Sequence, residues 1–182
     1  MVSKRNFLKQ FWKDRQMVGA ISPSTRFLGE KMLENIDFEH VTSIVELGPG
    51  TGVFTDIIIE RLRPDAKLWV FELNETFHNS LDKRINDDRV HVIHDSAEFI
   101  SKYTGEEPVD AIVSSLPLMV FPEELRKKVV KESFDTLKKT GKYVQFQYSL
   151  QSKKLLESTF KKVNVRFTIK NFPPAFVYTC TK

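Results

Sequence analysis

The chain has 182 residues, 41% of them apolar and 29% charged, which suits one globular unit with a sizeable core and excludes fibrous and disordered classes. Its single cysteine, Cys180, excludes an intrachain disulfide and a cysteine-rich zinc site and fits a reducing cytoplasm; with no run of about 18 apolar residues, no transmembrane helix is expected. The net charge of +4 resides in residues 1–15, where Lys4, Arg5, Lys9, Lys13 and Arg15 face only Asp14, so the basicity reads as a property of the amino terminus while the rest of the chain balances.

Residues 3–16 form the first expected helix, with Ser3 as its cap. Phe7, Leu8, Phe11 and Trp12 fall on one face and the bases occupy much of the remainder. Charges interrupt the apolar residues, so the segment does not read as a signal peptide. A basic helix with aromatics on its apolar face suits the interface of an anionic membrane. It equally suits packing on the domain, or a nucleic-acid-binding arm. Residues 18–24 make an irregular link, rich in small side chains, that either folds over a ligand or merely connects. Ser24 is placed to cap a second helix over 24–35 that buries Phe27, Leu28, Met32 and Leu33.

Strands and helices then alternate. The first strand, 43–47, runs straight into Gly48-Pro49-Gly50-Thr51-Gly52 and a buried helix over 53–62. Strand, glycine turn and helix are the layout of a nucleotide-binding crossover, and glycine lets the backbone turn sharply and approach a ligand. The spacing is G-x-G-x-G rather than the G-x-G-x-x-G that cradles a pyrophosphate, which favours a ligand without phosphates. Further strands are expected at 67–72, 90–93, 109–114, 142–148, 162–170 and 175–181. Helices are expected at 75–86 (capped by Asn74), 96–103, 122–138 and 151–160. The last two strands are joined by only Asn171-Phe172-Pro173-Pro174, so they form a hairpin and the final strand runs antiparallel. The class is α/β in one domain: a seven-stranded, mostly parallel sheet with helices on both faces. The division expected is N-terminal helices over 1–36 and a core over 37–182.

Seven strands, an antiparallel last one and Glu46-Leu47-Gly48-Pro49-Gly50-Thr51-Gly52 after the first resemble a Rossmann-like class I S-adenosylmethionine-dependent methyltransferase over residues 40–182. The resemblance implies that Glu46 and the loop Gly48, Gly50 and Gly52 bind the methionine part of that cofactor. Glu72 ends the second strand, where a carboxylate can accept from both ribose hydroxyls; as an ordinary reading, it is a surface acid. Leu73 would pack on the adenine. Asp95, beside Ser96, matches the family acid that accepts from the adenine amine, and could also or instead cap the helix over 96–103. Ser114 completes the expected cofactor set, and no metal is implied.

Ser115-Leu116-Pro117-Leu118 occupies the family's acceptor position. Adenine methyltransferases carry Asn/Asp-Pro-Pro-aromatic there, and ribosomal RNA dimethyltransferases carry Asn-Leu-Pro-aromatic. Serine in place of the amide and Leu118 in place of the ring remove the groups that hold a base, so nucleic acid is a poor expectation. The stretch from Phe11-Trp12 through Leu28, together with Ser-x-Leu-Pro and Gln147-Tyr148, resembles bacterial phospholipid N-methyltransferases. That resemblance implies a peripheral enzyme on the inner face of the membrane, held there by residues 3–16, that methylates phosphatidylethanolamine. Tyr148 and Ser115 become candidates to take the amine's proton, with Phe121 as a second wall beside Tyr148; otherwise Tyr148 is a core aromatic. Two other classes stay open: a nucleic-acid methyltransferase, and a cofactor-binding interaction protein without catalysis. Oligomeric state is not legible.

Overall fold

The computed structural model describes residues 26–105, 107–169 and 173–182. The helix expected over 3–16, the link at 18–24 and the Ser24 cap lie outside these residues. The elements are α1 (Arg26–Leu33), β1 (Ser43–Leu47), α2 (Val53–Arg61), β2 (Lys67–Phe71), α3 (Glu75–Arg84), β3 (Val90–Ile93), α4 (Ile100–Thr104), β4 (Val109–Ser114), α5 (Glu123–Thr136), β5 (Leu137–Gln147), α6 (Lys153–Thr159), β6 (Lys162–Thr168) and β7 (Ala175–Thr181). Short 3-10 turns at Ala97–Phe99 and Leu118–Val120 precede α4 and α5.

The sheet order is β3-β2-β1-β4-β5-β7-β6. β1 to β5 pair in parallel, and β7 inserts antiparallel between β5 and β6. From β1 the chain builds outward one way to β2 and β3, then crosses to β4 and builds the other way. That reversal opens a crevice at the carboxyl ends of β1 and β4, where open α/β sheets take ligands.

Parallel strands covered on both faces read as nearly continuous apolar runs, and side chains alternate between the faces. On one face Ile44, Leu68, Val70, Val113 and Val144 meet Leu28 and Met32 of α1, Phe54 and Ile57 of α2 and Leu81 of α3. On the other, Val45, Leu47, Ile112 and Tyr143 meet Leu125, Val129 and Val130 of α5 and Leu156 of α6. α1 and α2 come so close that a Cβ on Gly29 would stand 2.6 Å from Ile57 Cδ1. Among the described residues no helix is long and apolar enough to cross a membrane.

Boundaries shift most around α5. The helix expected over 122–138 ends at Thr136, and the strand expected at 142–148 already begins at Leu137 and ends at Gln147. Leu137 pairs with Val109, and pairing resumes at Lys142 opposite Ala111, so residues 138–141 bulge out of the ladder. Gly141 fits there because a Cβ would meet the Lys138 carbonyl at 2.9 Å. A helical pattern followed directly by a bulged strand has no break in its periodicity to mark the junction.

Asp110, at the start of β4, holds the opposite edge of the sheet together. Its Oδ2 accepts from the amides of Thr42 (2.9 Å) and Ser43 (3.1 Å) and from both their hydroxyls; its Oδ1 accepts from Lys138 of the bulge at 2.6 Å. Partial burial opposes ionisation, but the Lys138 bond and these donors outweigh it and hold the carboxyl below its ordinary value. A depressed carboxyl contributes stability above its unfolded value that is lost as pH falls through the folded one. Asp110→Ala should therefore lose about 1–3 kcal/mol of unfolding free energy at neutral pH, measured by urea denaturation. Part of the difference should close below about pH 4, near the ordinary aspartate value; a constant difference would remove Asp110's charge from the account.

Candidate functional site

The glycine turn leaves β1 in three left-handed steps, with φ of +71° at Gly48, +59° at Gly50 and +87° at Gly52. A side chain at Gly48 would strike Leu116 Cδ2 at 2.7 Å, and one at Gly52 would strike Leu81 of α3 at 2.6 Å and the Arg84 guanidinium. Around Gly50 nothing lies within 4 Å of the Cβ position, so the loop backbone is open there. Arg84 is held against the turn by Asp56 of α2 at 2.5 Å.

Glu72 is not a surface acid. It is buried, and its two oxygens accept from the Gly50 amide (3.1 Å) and the Asn74 amide (2.8 Å), joining the glycine loop to the loop before α3. Asn74 then caps α3 through a bond from the Phe77 amide at 3.1 Å, as its sequence position leads one to expect.

Glu46 is fully buried on the α2 side of the sheet, and neither carboxyl oxygen closes a hydrogen bond among the described residues. The Thr55 hydroxyl faces it but is also unsatisfied. Burial pushes the carboxyl up to about 8; Thr55 opposes this, Asp56 and Glu72 add to it, and Arg84 opposes it. Burial thus favours the neutral form of Glu46 over the carboxylate.

Asp95 follows β3. Partial burial works against its ionisation, but the Tyr103 hydroxyl (2.7 Å), the Ser96 amide (2.8 Å) and Lys102 (3.2 Å) outweigh it and keep the carboxyl below its ordinary value. The expected helix-capping by Asp95 is corrected: Ser96 is the cap, its hydroxyl accepting from the Glu98 amide at 3.4 Å. Tyr103 was not foreseen. Its ring stands edge-on to Phe71 at 5.5 Å, which fixes the hydroxyl that holds Asp95. A tyrosine eight residues after an acid on a short helix carries no signal without the fold.

Five of the expected cofactor residues, Gly48, Glu72, Leu73, Asp95 and Ser96, line one cleft that opens to solvent. Its remaining wall is apolar, with Phe71, Leu116 and Phe121 prominent. Glu46 and Ser114 are buried beneath it rather than lining it. Ser115 is half-buried at the end of β4, its amide donating to the Leu47 carbonyl at 2.9 Å. Tyr148 is half-exposed, its ring edge-on to Phe146 at 5.6 Å, and does not line the cleft.

The turn at 115–118, where the resemblance puts the acceptor, is locked from behind. The Leu116 carbonyl accepts from Gln145 Nε2 (2.8 Å), Gln147 Nε2 (2.9 Å) and the Leu118 amide (2.9 Å). Gln145 and Gln147 sit on the face that Tyr143 occupies, and Tyr143 donates to Gln145 Oε1 at 2.5 Å. Two glutamines at alternate positions of an otherwise apolar strand were the signal for this. Leu118 is wholly buried, so the turn presents no side chain at that position to the cleft mouth.

Two outcomes check this geometry. A carboxyl raised by folding binds more protons when native than when unfolded, so its contribution to stability falls as pH rises from the ordinary glutamate value to about 8. Urea midpoints should fall over that range in the wild type and less in Glu46→Gln; parallel curves would mean that Glu46 is ionised throughout. Glu72→Ala should weaken S-adenosylmethionine binding by roughly 1.5–3 kcal/mol, the scale for a lost charged hydrogen bond. An unchanged dissociation constant by calorimetry would take Glu72 out of the site.

Comparison with known proteins agrees with the geometry. Residues 44–141 match the family described as Methyltransferase domain. An ornithine lipid N-methyltransferase of Singulisphaera acidiphila is 30% identical over 179 residues, 96% of this chain and 93% of that one. A ribosomal RNA small subunit methyltransferase A of Borrelia garinii is 25% identical over 133 residues, 70% of this chain but only 46% of its own length. Among solved structures, the 1,6-didemethyltoxoflavin-N1-methyltransferase of Burkholderia thailandensis, with S-adenosylhomocysteine bound, superposes at a TM-score of 0.75 and 13% identity, covering 98% of this chain and 86% of that one. The glycine turn, the reversal of strand order beside it and the antiparallel β7 thus stand in their family context: the chain belongs to the class I S-adenosylmethionine-dependent methyltransferases.

Proposed function

We propose that the protein methylates the primary amine of a membrane lipid, phosphatidylethanolamine in the first instance. The observation that carries this reading is the acceptor turn. Ser115 stands where nucleic-acid enzymes carry an amide, Leu118 is buried where they carry an aromatic ring, and the Leu116 carbonyl is taken by two glutamines. A base would find neither its hydrogen-bond partner nor its stacking surface. The similarity to an ornithine lipid N-methyltransferase across nearly the whole chain supports an aminolipid acceptor.

The residues fit S-adenosylmethionine. The unpartnered Glu46 carboxyl, the open backbone at Gly50 and the acid-and-apolar cleft suit a cationic nucleoside that carries no phosphate. Gly48, Gly50 and Gly52 with Glu46 would hold its amino-acid end, Glu72 its ribose hydroxyls, and Asp95 its adenine amine. Leu73 would pack on the adenine face, with Ser96 and Ser114 completing the set. When bound, it supplies an electrophilic methyl group on a sulfonium, itself a good leaving group.

The protein then has to orient a neutral amine and exclude water. An ethanolamine amine is an ammonium near neutral pH, so Ser115, Tyr148 or a water they hold takes its proton first. The expected pairing of Tyr148 with Phe121 is corrected, since Tyr148 packs on Phe146 and Phe121 lies on the other face of the sheet; the exposed Tyr148 ring alone would offer a face to the more substituted ammonium product. On this reading the enzyme works as a peripheral protein on the inner membrane face.

The test is methyl transfer from radiolabelled S-adenosylmethionine to vesicles containing phosphatidylethanolamine, to vesicles containing ornithine lipid, and to ribosomal RNA. Label is expected in the phosphatidylethanolamine extract. Label in ornithine lipid alone would change the headgroup, and label in RNA alone would overturn the lipid reading. Tight cofactor binding with no transfer to any acceptor would leave a binding protein.

A further inference from the structure

The neutrality of the chain beyond residue 15 is a sum of opposite halves. Residues 136–182 hold ten of the 28 lysines and arginines but a single acid, Glu157. They build β5, α6, β6 and β7, so these bases lie toward the β6 end of the sheet; Lys138 and Arg166 are paired with Asp110 and Glu34, and Lys153 and Lys154 are the bases that follow the carboxyl end of β5. The expectation that basicity belongs to the amino terminus alone is thereby corrected.

At the carboxyl corner of that end the surface is also apolar. Leu150 is 49% exposed, Phe167 55% and Ile169 75%. Phe167 and Ile169 flank Thr168 at the carboxyl end of β6, and Leu150 lies in the turn that follows the carboxyl end of β5. Gln147 at the end of β5 pairs with Phe176, and Thr168 at the end of β6 pairs with Ala175, so both strands finish at the edge where the cleft opens. Tyr178 Oη donates to the Ser149 carbonyl at 3.1 Å, drawing the turn after β5 across β7 toward β6. Phe167 packs on Phe176 at 4.9 Å, on the face that α6 covers. The Lys153 amide donates to the Leu150 carbonyl at 3.0 Å, so Lys153 and Lys154 follow directly on the exposed leucine. Lys153 is paired with Glu157 at 3.5 Å, whereas Lys154 makes no ion pair among the described residues.

We propose that this corner is a membrane-docking surface: Leu150, Phe167 and Ile169 enter the headgroup boundary of an anionic bilayer, and Lys153 and Lys154 face its charge. The proposal rests on the lipid-acceptor reading for its purpose, since it turns the cleft mouth toward lipid headgroups, but not for its test. Three occupants compete. A second copy of the chain would bring like charge against like charge. A nucleic acid would use the lysines but not Leu150 and Ile169, which offer no ring for a base to stack on. A bilayer with anionic lipid uses both, apolar area for the boundary and cations for the surface potential. The surface is distinct from residues 3–16, so docking there would give the protein two membrane contacts and hence a defined orientation.

The test uses the full chain and vesicles of equal parts phosphatidylcholine and phosphatidylglycerol, which hold no amine to methylate. Cys180 is buried, so an Ile169→Cys variant takes an environment-sensitive fluorophore at one position. A blue shift on these vesicles, weaker on phosphatidylcholine alone, is expected; no shift overturns the proposal. Lys153→Glu with Lys154→Glu should lower vesicle partitioning about tenfold while cofactor affinity and transfer to detergent-dispersed acceptor stay unchanged. Unchanged partitioning overturns the proposal, as does a loss of RNA retention in its place. If the corner enters vesicles but no lipid is methylated, docking stands and the acceptor reading falls; methylation without insertion gives the reverse.

Discussion

The site depends on a short set of backbone bonds that carry the ladder one residue beyond each strand. The Gly48 amide donates to the Phe71 carbonyl at 2.9 Å, the Glu72 amide to Ile93 at 3.0 Å and the Ser115 amide to Leu47 at 2.9 Å. Each loop of the site thus leaves the sheet from a position set by its neighbour, and buried backbone groups that would be costly to leave unpaired find partners. The glycine turn, Glu72 and Ser115 begin within one hydrogen-bonded row.

Carboxylates around that row are held differently. Glu72 is held by two amides and acts as a strut between loops. Asp95 is held by Tyr103, Ser96 and Lys102 and stays ionised. Glu46 has no hydrogen-bond partner among the described residues and is driven toward its neutral form by burial. An acid kept without a partner costs stability, and such strain is characteristic of positions that meet a ligand. These acids thus differ in state: Glu72 and Asp95 are held by donors, and Glu46 is buried.

The acceptor side follows another logic. Gln145, Gln147 and the Leu118 amide converge on one carbonyl, and Leu118 itself is drawn into the core. The turn keeps its shape without an aromatic ring or a side-chain amide at the mouth. The basic and apolar corner at β6 and α6 lies on the same edge.

The seven strands, the antiparallel β7 and the glycine turn were legible because each depends on local signals: apolar runs, a connection too short for a crossover, and glycines at alternate positions; the order of the strands in the sheet came only with the structure. Glu46, Glu72 and Asp95 were legible because strand ends are. The state of those acids was not, since burial and unpaired oxygens are set by α2 and α3 packing from elsewhere in the chain. The bulge at 138–141 escaped notice because helix and strand meet there without a break. Tyr103 and the two glutamines act across the fold, and the basic corner was hidden by a balanced total charge. The sequence by itself determined the sheet and the positions of its site-bearing turns, because period and turn chemistry are local. Only the tertiary structure decided which carboxyl is a strut and which is left unsatisfied, because desolvation and hydrogen bonding depend on what packs against each group.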